Sequence, residues 1–283
     1  MPPSASPGAA IRYSPRCVAF RPATHRAALE ELAADKHLSL RVLELDVTRD
    51  DSVSNAVDAA LREAGHLDVV INNAGYAGIG VTEAYTPQQF EQMFAVNVIG
   101  AVRVNRAVLP SMRARRSGLL IHISSGAGRC AVPAMAAYCA SKFALEAIAD
   151  SLRFELLPFG IDSVLVEPGI YRTPIFDKND LPTDTARLAS YGDAANYADR
   201  VLGTFLSVIN APDAPGSEEV AEALVRLVEM EPAERPFRTL VSPAMEQLLS
   251  SFNAAANDLR PIVAQIFNVP ELAGAPSESP VAV

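Results

Sequence analysis

Short apolar runs that alternate with longer helical stretches constrain this chain more than any other feature. Cys17 to Phe20, Leu38 to Leu45, Leu67 to Ile71, Leu119 to Ile123, Ile161 to Val166 and Arg238 to Val241 read as strands. The continuous apolar character of Leu67 to Ile71 marks a strand buried on both faces, as in a parallel sheet. Helices are expected over Thr24 to Lys36, after Thr48, from residue 87 to about 114, over Met135 to Leu157, from Ser217, and from Met245 onward. Thr48 reads as a helix cap with Asp50 and Asp51 in the first turn, and Thr86-Pro-Gln-Gln89 as a capping box with proline at the first helical position. Strand and helix in strict alternation imply an α/β fold with a mostly parallel sheet and right-handed crossovers.

Composition excludes several partners. A formal charge of −9 argues against nucleic acid and anionic membrane surfaces. No apolar stretch approaches the roughly 20 residues that span a bilayer. Cys17, Cys130 and Cys139 are an odd count without paired spacing, which suits a reducing cytoplasm, and His25, His37, His66 and His122 are scattered, so no metal site is expected.

The chemistry concentrates in Ala137-Tyr-Cys-Ala-Ser-Lys142. Tyr138 and Lys142 are four residues apart, on one face of a helix. An ammonium beside a phenol favours the phenolate, so Tyr138 is expected to exchange a proton near neutral pH. A lone pair of this kind is more often a tyrosine packed on a lysine stem. Here Ser125 lies thirteen residues before Tyr138 at the end of an apolar run, Asn72-Asn-Ala-Gly75 follows another, Asn97 stands in Val96-Asn-Val-Ile-Gly100, and Pro168-Gly169 follows Ile161 to Glu167.

That ordered set, over roughly residues 17 to 175, resembles the short-chain dehydrogenase/reductase family. The resemblance implies a Rossmann-like three-layer fold over residues 17–270, a nicotinamide dinucleotide (NADP or NAD), and hydride exchange between a carbonyl and a secondary alcohol. It assigns Tyr138 as general acid/base and Lys142 as the group that lowers the Tyr138 pKa and holds the nicotinamide ribose. Ser125 would hold the carbonyl oxygen, and Asn97 would hold a water near the lysine. Ser124 is a rival for Ser125. For Asn97, a buried amide satisfying backbone groups at a helix kink is an equal alternative.

On the cofactor side, the resemblance places Asp46 against the adenine amino group with Val47 beside it. Asn73, Ala74 and Gly75 would border the crevice, and Pro168, Gly169, Ile170 and Thr173 would wrap the nicotinamide end. Arg21 could pair with a 2′-phosphate and so weakly favours NADP. Residues 174–215, with Phe176, Tyr191, Tyr197 and Phe205, read as a lid over a small apolar carbonyl or alcohol, or else as a helical hairpin packed on the sheet edge. Helices 87–114 and 135–157 resemble those through which family members form homodimers or homotetramers.

One family element is missing. A glycine-rich turn after the first strand normally aims backbone N–H groups at the pyrophosphate, yet Gly8 is the only glycine before Gly65. Pro2, Pro3, Pro7 and Pro15 forbid a helix over the first residues, so 1–16 are expected to be irregular, the usual first strand absent, and 271–283 a disordered tail. A shifted frame or misassigned start explains this more simply than a new cofactor site. The competing functional readings are an inactive fragment or binding protein on the same scaffold, and an epimerase or dehydratase using bound NAD.

Overall fold

The computed structural model describes residues 17–19, 23–173, 175 and 179–269. The segments expected to be irregular at 1–16 and disordered at 271–283, together with Arg21 and Phe176, lie outside the described residues. The elements run β1 (Cys17–Ala19), α1 (Ala23–Asp35), β2 (Leu40–Val42), α2 (Asp50–Ala64), β3 (Val69–Asn72), α3 (Pro87–Phe94), α4 (Gly100–Arg115), β4 (Gly118–Ile123), α5 (Ala136–Leu156), β5 (Ile161–Pro168), α6 (Thr185–Ser190), α7 (Asn196–Ile209), α8 (Glu218–Glu229), β6 (Arg238–Val241) and α9 (Pro243–Ile266).

All the strands pair in parallel, in two groups: β1–β2 and β3–β4–β5–β6. Among the described residues nothing pairs with the second edge of β3, which is where the expected fold puts its first strand. The consequence is visible in Ile71, which the continuous apolar run of β3 leads one to expect buried and which is 43% exposed.

The remaining strands behave as a parallel sheet covered on both faces should. On one face Leu120 and Ile161 pack with Val53 and Val57 of α2 and with Val108, Leu109 and Met112 of α4. On the other, Leu119, Ile121, Val164 and Val166 pack with Ala223 and Leu227 of α8. Consecutive residues of β4 therefore point to opposite helical layers, which is the strand's two-residue period made visible. Each fully buried leucine or isoleucine contributes roughly 1.5–3 kcal/mol by leaving water.

Three local expectations need correction. The strand expected over Leu38 to Leu45 is only three residues long, and Leu38 is 48% exposed. With one partner strand and no described second neighbour, the flanking residues gain little by extending. Thr48 does not cap α2: Arg49 occupies that position with no side-chain capping bond, and the Thr48 hydroxyl instead donates to Asp46 Oδ1 at 2.6 Å. The helix expected as continuous from 87 to 114 is broken by a π-helical turn over Ala95–Ile99. By contrast, the Thr86 capping box is complete, with Thr86 Oγ1 accepting from Gln89 N at 3.3 Å and Gln89 Oε1 accepting from Thr86 N at 3.2 Å.

Candidate active site

The carboxyl ends of β3, β4 and β5 bring the site together, as expected for an open α/β sheet. Ser125 follows β4 as the cap of a short 3₁₀ turn, its Oγ accepting from Ala127 N at 3.1 Å. Its hydroxyl also hydrogen-bonds the Tyr138 phenol on the first turn of α5. Ser124 points the other way, buried against Gly128, where a side-chain carbon would stand 2.6 Å from its Oγ. That geometry selects Ser125 over its neighbour as the partner of Tyr138.

Lys142 is buried one turn beyond Tyr138, with its Nζ 5.7 Å from the Tyr138 ring centre and donating to the Ile123 carbonyl at 2.8 Å. An ammonium carries three donors, so this arrangement leaves donors for a ligand hydroxyl. The sign of the Tyr138 shift overturns the expectation from the sequence. Burial pushes the phenol up to about 12, the Ser125 hydrogen bond opposing, and burial also lowers Lys142 to about 8, against the pull of Glu146. Desolvation outweighs the neighbouring charge because both groups are removed from water together. At neutral pH Tyr138 is therefore a protonated donor.

Asn97 explains the break in the α3–α4 helix. Its Nδ2 donates to the Tyr76 carbonyl and to Ser141 Oγ, both at 3.0 Å, while its Oδ1 accepts from Tyr76 N at 3.0 Å. The side chain thus satisfies the backbone just after β3 and ties it to α5, and the π-helical turn swings it inward. This is the backbone-satisfying role, and Asn97 sits beside the lysine as well. A side-chain carbon on Gly75 would meet Asn97 Oδ1 at 3.1 Å and Lys142 Nζ at 3.7 Å, so glycine there keeps open a cradle in front of both.

The other expected cofactor contacts divide. Asn73, Ala74 and Gly75 are exposed at the end of β3. Gly169 must be glycine, because Ser242 Oγ lies 2.2 Å from where a side-chain carbon would be, and its N–H donates to the Val241 carbonyl at 2.9 Å. Pro168 ends β5, and Ile170 and Thr173 follow it half-buried. Asp46 is exposed, but its carboxylate accepts from both Thr48 N and Thr48 Oγ1, which holds it below the usual carboxylate range. Val47 packs on Gly100, and its carbonyl accepts from Arg103 Nη1 at 3.3 Å.

Gln89 ties α3 to the segment 180–183 through bonds that its sequence position does not reveal. Gln89 Nε2 donates to the Asp180 carboxylate and to the Leu181 carbonyl, and Gln89 Oε1 accepts from Thr183. Its place as the third residue of the Thr86 capping box was legible, but its long-range bonds were not. Tyr197, Val201, Leu202 and Phe205 of α7 pack against the apolar cluster that surrounds Tyr138. A second overlooked feature is a polar row across the sheet. Asn72 Nδ2 bonds Asn105 Oδ1 at 2.9 Å and lies 3.4 Å from His122 Nδ1, whose Nε2 is 3.3 Å from Ser163 Oγ. Burial lowers His122 to about 4, so it is neutral and structural.

The family model for short chain dehydrogenases matches residues 12–183. The chain belongs to that family of oxidoreductases. It is 35% identical over 213 residues to a 3-ketodihydrosphingosine reductase of Bacteroides thetaiotaomicron, covering 75% of this chain and 76% of that one. It is 36% identical over 208 residues to retinol dehydrogenase 8 of Bos taurus, covering 70% and 64%. It is 40% identical over 150 residues to the uncharacterized oxidoreductase YusZ of Bacillus subtilis, spanning 53% of that protein's length. Among solved structures, a short-chain dehydrogenase from Streptomyces avermitilis superposes with a TM-score of 0.70 at 26% identity, covering 89% of this chain and 88% of that one. One from Burkholderia phymatum, in complex with NAD, gives 0.68 at 24%, covering 94% and 88%. These relatives share the family's Rossmann-like fold with this dehydrogenase. No helix among its described residues is long and apolar enough to cross a membrane, and no group of three or more metal-ligating side chains occurs among them.

Proposed function

We propose that this chain is an NAD(P)-dependent oxidoreductase that reduces an apolar carbonyl, with Tyr138 as proton donor. The observation that carries the reading is the convergence of the Ser125 hydroxyl, the Tyr138 phenol and the Lys142 ammonium beyond the carboxyl end of β4. The cradle at Gly75 and the spare donors of Lys142 fit the ribose and nicotinamide end of a dinucleotide. A bound nicotinamide supplies or accepts the hydride.

The chain's own residues do the rest. Ser125 orients the carbonyl oxygen and donates to the charge that develops on it. Tyr138 gives its proton to that oxygen, and the Lys142 ammonium stabilises the phenolate left behind. The raised phenol pKa keeps Tyr138 protonated near neutral pH, the form that carbonyl reduction uses. Asn97 holds the backbone after β3 and α5 in register beneath these groups. Asp46 and Val47 would receive the adenine, and Pro168, Gly169, Ile170 and Thr173 the nicotinamide. The cofactor is NADP or NAD.

An apolar substrate is supported by the cluster of Ala77, Ile79, Met93, Val132 and Phe205 around Tyr138. Relatives named for 3-ketodihydrosphingosine and retinol agree with it. Residues 174–215 serve as its lid, held by Gln89. We also infer a cytoplasmic homodimer or homotetramer, with Ile99 and Phe143 among the exposed apolar residues of the helices that would pair.

Tyr138→Phe tests the assignment. It deletes one hydroxyl and little packing, so carbonyl reduction at saturating cofactor should fall by about 10²–10⁴-fold while cofactor affinity stays nearly constant. A variant keeping more than about a tenth of the wild-type kcat would remove Tyr138 from the reaction.

A further inference from the structure

Behind Lys142 lies a group of buried acids that the proposed reaction does not use. Glu146 follows Lys142 by one turn of α5, and Glu167 immediately precedes Pro168; they are 3% and 0% exposed. Arg238 of β6 stands between them, its Nε 2.8 Å from Glu146 Oε2 and 3.5 Å from Glu167 Oε1, while its Nη2 donates to Asp150 Oδ2 at 2.6 Å. From the other side, Asn253 of α9 donates to Glu167 Oε2 at 2.6 Å. Arg129, in the turn after Ser125, donates to Asn253 Oδ1 at 3.0 Å and approaches Glu167 Oε1 to 3.8 Å.

Two oxygens here are anomalous. Glu146 Oε1 and Glu167 Oε1 are both buried and accept no hydrogen bond. A buried acceptor left without a donor costs about 1–3 kcal/mol, more when it is charged. Two buried carboxylates facing one guanidinium nitrogen repel each other in a dry site, and a proton on the one farther from that nitrogen, Glu167, relieves the repulsion.

We propose that Glu167 holds a proton beside Glu146, and that with Arg238, Arg129 and Asn253 they form a hub that positions the reacting groups. The hub joins five pieces of chain: the Lys142 turn of α5, the turn after Ser125, the bend at Pro168–Gly169, β6 and α9. The start of α9 is wedged against the same two bends. A side-chain carbon on Gly126 would lie 2.5 Å from Met245 Cε, and one on Gly169 would lie 2.2 Å from Ser242 Oγ. Glu167 and Glu146 are positioning residues, since neither reaches the crevice through anything but its neighbours. The proposal builds on the reaction assigned above, yet its test needs no turnover.

Independent support comes from burial and the nearby Glu146, which push Glu167 up to about 7 against the pull of Asn253, Arg238 and Arg129. The charged groups facing it are Glu146 and Asp150 of α5, Arg238 of β6 and Arg129. Arg260 of α9 stacks beyond them, 5.1 Å from the Phe237 ring centre. Because the folded value lies above the unfolded value of 4.5, the stability from this proton is full below 4.5 and is lost as pH rises through about 7. Raising the pH should therefore loosen the hub.

The test is a carboxyl titration of the full chain labelled with ¹³C-glutamate and followed by NMR. One glutamate should titrate near neutrality, vanish in Glu167→Gln, and move down by about one pH unit or more in Glu146→Gln, where the repelling charge is gone. Amide exchange at Ala127, Gly128 and Gly169 supplies the second readout. Beyond its intrinsic pH dependence it should rise at least about tenfold in the wild type between pH 6 and 8 and stay slow in Glu167→Gln, which keeps the protonated shape. Finding no carboxyl that titrates above about pH 6, or one that persists in Glu167→Gln, overturns the proton on Glu167. Unchanged exchange across that range overturns the positioning role. If Glu167→Gln fails to fold, the wild type and Glu146→Gln decide both points.

Discussion

β3 and β4 carry the same kind of sequence and meet different fates. Both are short apolar runs, and they pair in register from Val69↔Leu119 to Asn72↔His122. β4 has a strand on each side and a helical layer on each face, and its Leu120 and Ile121 are fully buried. β3 has a strand on one side only among the described residues, and Ile71 is 43% exposed. β1 and β2 pair only with each other, in strands of three residues. An apolar run in a parallel sheet is a request for two neighbours, and its burial depends on whether both are supplied.

The largest effect expected from this contrast is in the core. Ile121→Ala should destabilise the chain by about 2–5 kcal/mol, read from denaturant unfolding. A loss below about 1 kcal/mol would mean that the two-sided half is no better packed than the other.

A smaller effect concerns pH in the half where the reacting groups sit. With Lys142 lowered to about 8, its ammonium is present below that value and lost above it. Carbonyl reduction at fixed, saturating cofactor should therefore hold up to about pH 8 and fall roughly tenfold per unit beyond, because the neutral amine cannot stabilise the Tyr138 phenolate. A rate that stays flat to pH 10 would exclude Lys142 from that task.

The smallest effect is the complement of the first: Ile71→Ala should cost less than about 1 kcal/mol, since its side chain already meets water. A cost equal to that of Ile121→Ala would show that β3 is covered in solution.

What the sequence made legible follows the same division. β4, β5, β6, the Thr86 capping box and the Ser125–Tyr138–Lys142 convergence could be read because local pattern and final burial agree there. The π-helical turn at Asn97 could not, because its cause is long-range: the amide must bond Tyr76, twenty-one residues earlier. The ionisation of Tyr138 was misread because spacing reveals a neighbouring charge but not that both groups are dry. The Glu146–Arg238–Glu167 hub joins residues up to 92 positions apart, and no periodicity brings them together. Asp46 and Val47 match the family pattern in sequence, and the structure leaves Asp46 exposed and bonded to Thr48 rather than aimed by an adjoining strand.

Titrating the full chain with NADPH, followed by nicotinamide fluorescence, compares the two halves most directly. The side chains proposed for proton transfer and for the nicotinamide ribose, Ser125, Tyr138 and Lys142, lie together. Among the described residues, however, no glycine turn between β1 and β3 offers N–H groups to the pyrophosphate. Saturation is therefore expected only toward the millimolar range, about 4 kcal/mol weaker than a micromolar site. Saturation at micromolar NADPH would contradict that division of the molecule.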